Sequence, residues 1–153
     1  MTRGKVAYEL VEHTADTGIV VRSTRLEKVF EFMASAMFDQ IVDVDAIRVS
    51  DPPELVRVEA NDEETLLVAW LGELLSRAMA AGLVYGAFDV AIGPVEGIVG
   101  TVAGGLKLIG RVWGEPLDLE RHGFKAELKA VTYHHLFVGE QEDGFVARVV
   151  FDV

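Results

Sequence analysis

The sequence predicts an α+β fold, a two-layer domain in which two main helices pack on a mixed β-sheet. Three observations carry this expectation: two stretches with apolar residues at helical spacing, short β-rich stretches around them, and no linker, repeat or low-complexity segment dividing the chain. All 153 residues, 1–153, are therefore read as a single domain, and 50% hydrophobic content is enough to build its core.

Val6 to Glu12 and Thr17 to Ser23 read as strands on either side of a break, the second being rich in β-branched residues. Thr24 and Glu27 have capping-box spacing, and Leu26, Val29, Phe30, Met33, Met37 and Phe38 then recur at helical intervals, which predicts a helix burying one face. "IRVS" and "ELVRVEA", flanking Asp51-Pro52-Pro53, are expected to pair as strands. Asn61 with Glu64 repeats the cap spacing. It opens a second helix whose stripe runs from Leu66 through Trp70 and Leu74 to Ala78, with a C-terminal cap at Gly82. The rest reads as β: "LVYGAFDVAI", "GIVGTVA" and "LKLIGRVWG" with a hairpin signal at Gly104-Gly105. After a polar connection come Lys125 to Val138 and Phe145 to Val153, joined at Glu142-Asp143-Gly144.

Fourteen basic against 25 acidic residues give a net charge of −11. Such a field repels phosphate backbones, so strong direct nucleic-acid binding is not expected, and a basic protein partner or a cation among carboxylates fits better. With no cysteine, disulfides, thiolate nucleophiles and cysteine-based zinc sites are excluded. "MTRGKVAYEL" lacks the apolar core of a signal peptide, and the uncharged run Gly97 to Leu106 is too short to span a bilayer. A cytoplasmic protein without membrane association is expected.

Several motifs have ordinary readings. "GIVGTVAGG" lacks the ending of a phosphate loop and precedes a strand, so a hairpin is the simpler account. His134 and His135, as strand neighbours, should point to opposite faces and not share an ion. The serines show no nucleophile-elbow spacing. Asp39, Asp43 and Asp45 read as a solvated acidic corner, with Asp39 as a reserve ligand. More unusual is the closing "VARVVFDV". A terminal strand holds Asp152 and the oxygens of Val153 in fixed geometry, and together with Asp16 of "HTAD" they would form an all-oxygen set. That donor type suits Ca²⁺, Mg²⁺ or Mn²⁺ and suits zinc or copper poorly. Asp16 could equally serve an Asx-turn within "TADTG".

Taken together, "YELVEHTADTGI", "LEKVFEFMASAMFD", "LLVAWLGELL", "GEPLDLERH", "ELKAVTYHHL" and "VVFDV" resemble the archease family over nearly the whole chain. The resemblance implies an accessory protein that is not itself a catalyst. Its partner would be the tRNA-splicing RNA ligase that joins 3′-phosphate ends, whose GTP- and metal-dependent guanylylation and multiple turnover it promotes. It also implies metal ligation by Asp16, Asp152 and Val153, and a role in activation for Lys129, which otherwise reads as a solvated strand residue. Two positions depart from the pattern: Glu12 where the family commonly has Asp, and Gly72 where it commonly has Asn. A glycine inside a helix costs about 1 kcal/mol relative to alanine, and here it suggests a close helix contact. Two other functions compete: a metal-dependent phosphoesterase using the same carboxylates, and a chaperone-like module meeting clients through apolar surface around Trp113 and Phe124.

Overall fold

The structure, a computed structural model, describes residues 1–13, 16–95 and 104–153. Its elements in order are β1 (Thr2–Arg3), β2 (Glu9–His13), β3 (Asp16–Ser23), α1 (Leu26–Ile41), a 3₁₀ turn (Val44–Ala46), β4 (Glu54–Ala60), α2 (Glu63–Ala81), β5 (Leu83–Pro94), β6 (Leu106–Pro116), β7 (Ala130–Gln141) and β8 (Gly144–Asp152). The α+β class and the two main helices are as the sequence predicts. The strands, however, divide into two antiparallel four-stranded sheets, ordered β1-β5-β6-β4 and β2-β3-β8-β7, where one mixed sheet was expected.

The cause is visible in α1. Val29, Phe30, Met33, Ala34, Ala36, Met37 and Phe38 are all fully buried, so apolar residues cover most of the helix circumference and not one face. A helix buried all round needs a layer on each side, which a single sheet cannot supply. Accordingly α1 packs on β5 of the first sheet and on β3 and β8 of the second, while α2 packs on β4 and β7. Trp70 ties the helices together, its indole N–H donating to the Phe30 carbonyl at 3.1 Å. The Trp70 ring reaches β6 because Gly110 has no side chain; a Cβ there would stand 2.5 Å from it.

Even the polar residues of α1 are spent inside. Glu31, 2% exposed, accepts from the Thr2 hydroxyl at 2.7 Å and from the Val90 N–H at 3.0 Å, fastening β1 and β5 to the helix. Asp39, also 2% exposed, accepts from the Tyr8 hydroxyl at 2.6 Å and from the Val44 N–H at 3.3 Å. It is therefore a buried anchor and not part of a solvated corner. Burial, with Asp39 adding to it, pushes the Tyr8 hydroxyl up to about 12.

Local expectations meet mixed outcomes. Gly82 caps α2 in the left-handed conformation, φ 63°, as predicted. The other cap of α2 is Asp62 and not Asn61: its carboxylate accepts from the Thr65 N–H at 2.7 Å. At α1 the residue before the helix is Arg25, and no side chain caps it, so the Thr24–Glu27 box does not form. "IRVS" is irregular, because the Arg48 N–H is taken by the Glu115 carboxylate at 2.6 Å, and β4 pairs instead with β6 along its whole length. The "GIVGTVA" strand, residues 97–103, lies outside the described residues; β5 and β6 close on each other through the Val95 N–H and the Gly105 carbonyl at 2.9 Å.

Candidate functional site

Strand alternation decides which residues share a face. In the β3–β8 pair, Ile19 and Val21 stand opposite Val149 and Ala147, all four almost wholly buried toward α1. Asp16, Gly18 and Val20, opposite Asp152, Val150 and Arg148, must then share the outer face. Facing residues of an antiparallel pair carry Cβ atoms roughly 4.5–5.5 Å apart, so the Asp16 and Asp152 carboxylates can reach a common point. Asp16 is half-buried and Asp152 exposed. Lys129 joins them through its backbone, donating its N–H to the Asp152 carbonyl at 2.8 Å, and Ala130 pairs with Asp152 as β7 begins. Val153 follows directly, 44% exposed. One end of the sheet thus gathers Asp16, Asp152, Val153 and Lys129. Among the described residues no three His, Cys, Asp or Glu side chains converge. The donor set at this end is two carboxylates and main-chain oxygens, a chemistry that fits a hard divalent ion with part of its shell left to water or ligand.

The histidine pair differs from the sequence expectation. Between Thr132, opposite Val150, and Phe137, opposite Arg148, β7 inserts residues 133–136 where β8 has only Val149. The resulting bulge puts His135 at φ 53° and brings the His134 and His135 rings to 4.3 Å at 65°, both residues being exposed. Alternation between faces fails because the strand is not regular there. The Arg148 Nε–H donates to the His135 carbonyl at 2.8 Å and holds the bulge to β8.

A second polar centre is structural. Glu115 accepts from Arg121 at 2.5 Å, from the Arg48 N–H at 2.6 Å and from the fully buried His122 at 2.8 Å. Because His122 Nδ1 already accepts from the Asp118 N–H at 2.9 Å, its Nε2 is the donor. Burial alone would raise Glu115, but these hydrogen bonds outweigh it and bring its carboxyl down to about 2.

Lys129 also borders a groove of about 570 Å³ beside α2, lined by Val68, Gly72, Leu75, Met79 and Val131 among others. A Cβ on Gly72 would meet nothing within 4 Å, so this glycine marks no close helix contact. Trp113 is only 8% exposed and donates to Asp51 at 2.9 Å, which removes it from any client-binding surface, whereas Phe124 is 46% exposed. Among the described residues no helix is long and apolar enough to cross a membrane.

Known proteins share this sequence and fold. The family model of the Archease protein family matches residues 8–153. "Protein archease" of Pyrococcus abyssi is 40% identical over 147 residues, covering 95% of this chain and 98% of that protein. Its namesake in Methanopyrus kandleri is 39% identical over 149 residues, covering 95% and 99%. The solution structure of Methanobacterium thermoautotrophicum protein 1598 superposes with a TM-score of 0.80 at 31% identity, covering 95% of this chain and 98% of that one. A Thermotoga maritima crystal structure described as an archease and possible chaperone, at 18% identity and a TM-score of 0.56, shares the fold. With its family-model match over residues 8–153, relatives at 39–40% identity and the same fold as a solved neighbour, the chain belongs to the archease family.

Proposed function

We propose that this protein is a non-catalytic activator of the tRNA-splicing RNA ligase, promoting the ligase's GTP-dependent guanylylation so that it turns over repeatedly. The observation that carries the reading is the register that sets Asp16 opposite Asp152 at one sheet end, with the Lys129 backbone bonded to Asp152. Asp16, Asp152 and the oxygens of Val153 would hold one Ca²⁺, Mg²⁺ or Mn²⁺ ion, which when bound supplies concentrated positive charge. Guanylylation moves a phosphoryl group, and its transition state is stabilised by positioned cations. Asp16 and Asp152 fix the position of that charge on a rigid sheet. Lys129 adds a second cationic group, its backbone anchored while its side chain is exposed.

The test is ligation by the ligase with GTP, divalent ion and excess broken RNA. Adding this protein should convert single-turnover behaviour into multiple turnover. Asp16→Ala and Asp152→Ala should each reduce the stimulation by about tenfold or more while the circular dichroism spectrum stays native, since each removes a transition-state-positioning group worth at least about 1.4 kcal/mol. No stimulation by the unaltered protein would refute the proposal.

A further inference from the structure

One row inward from Asp16 and Asp152, the outer face of the second sheet holds a cavity of about 200 Å³ lined by Val11, Gly18, His135, Arg148 and Val150. Two features of the backbone create it. Gly18 carries no side chain, and none fits, since a Cβ there would stand 2.9 Å from the Val11 carbonyl oxygen. The β7 bulge brings His135 beside the Gly18–Val150 row, and the Arg148 Nε bond to the His135 carbonyl fixes the guanidinium at the same place. A non-glycine residue at φ 53° persists only where its surroundings impose it.

The lining has a definite chemistry. Its apolar walls are Val11, Gly18 and Val150, and its polar side chains are Arg148 and His135. Arginine has donors and no acceptor, and its planar fork matches the oxygens of a phosphoryl group. Among the described residues no carboxylate lines the cavity, in a chain whose net charge is −11.

We propose that this cavity is a phosphoryl-binding subsite, in which the Arg148 guanidinium holds a phosphate group and His135 adds a second donor. The inference deepens the proposed function and rests on it for the source of the ligand. A phosphate seated there lies about 7 Å along the strand from the carboxylate row.

The experiment is titration of the isolated protein with inorganic pyrophosphate in EDTA, followed by amide NMR shifts, with succinate as a dicarboxylate control. The unaltered protein should bind pyrophosphate saturably with shifts at Gly18, His135 and Arg148, and bind succinate more weakly. Arg148→Gln should weaken pyrophosphate about tenfold, and Arg148→Lys, which keeps the charge but loses the fork, should fall between. His135→Asn should weaken it about threefold while keeping the bulge, because asparagine accepts positive φ. Asp16→Ala should leave pyrophosphate binding intact while reducing ligase stimulation about tenfold or more. Absence of saturable binding, an unchanged affinity in folded Arg148→Gln and Arg148→Lys, or equal affinity for succinate would each overturn the subsite. Arg148-dependent pyrophosphate binding by a protein that does not stimulate the ligase would uphold the subsite and reject the functional reading.

Discussion

Glu115 fixes more of the surrounding structure than its position at the end of β6 suggests. Its carboxylate joins Arg48, Arg121 and His122, so the loop after β6 is bound to the loop after α1 through one side chain. Its pKa in the folded protein, about 2, lies below the free value. The stabilisation is therefore complete above the free carboxylate range, near pH 4.3–4.5, and fades as pH falls toward about 2. Glu115→Gln should cost about 2 kcal/mol by urea unfolding near pH 7 and distinctly less near pH 3. An equal cost at both would mean that the charge is not what matters. Gly72 behaves oppositely: a methyl group on its Cα would project into open space, so Gly72→Ala should stabilise α2 by about 0.5–1 kcal/mol by the same method. At this scale the sequence offered Asp16 and Asp152 as candidates, and only the pairing of β3 with β8 sets them opposite each other. The sequence was silent on Glu115, whose partner Arg48 is brought to it only by folding.

Among the elements, the helices were legible from their apolar spacing, but their caps were not. Asn61 and Asp62 are both good cap residues, and the choice between them depends on where the backbone first turns helical, which places Asp62 opposite the Thr65 N–H. Asp62→Ala should cost about 1 kcal/mol in thermal or urea unfolding, whereas Thr24→Ala at α1 should cost little because no side-chain cap exists there. A reversed order would reinstate the capping box. The bulge in β7 was illegible for a similar reason. "TYHHL" has strand-like composition, and only the pairing with β8 reveals that residues 133–136 face a single partner. That irregularity moves His135 beside Arg148 and, together with Gly18, forms the cavity on the outer face.

For the whole molecule, the division into two sheets follows from the all-round burial of α1, which the sequence displayed as buried-type residues but which a one-face reading of the helix underestimated. The consequence reaches the candidate site. Antiparallel pairing of β3 with β8 draws a residue near the beginning of the chain and one near its end into direct opposition, and the anchored Lys129 backbone completes that sheet end. The account depends on those two carboxylates serving one ion. Counting Mn²⁺ bound to the purified protein by electron paramagnetic resonance tests this most directly. One equivalent per chain is expected, lost in Asp16→Ala and equally lost in Asp152→Ala; retention of that equivalent in either folded variant would contradict it.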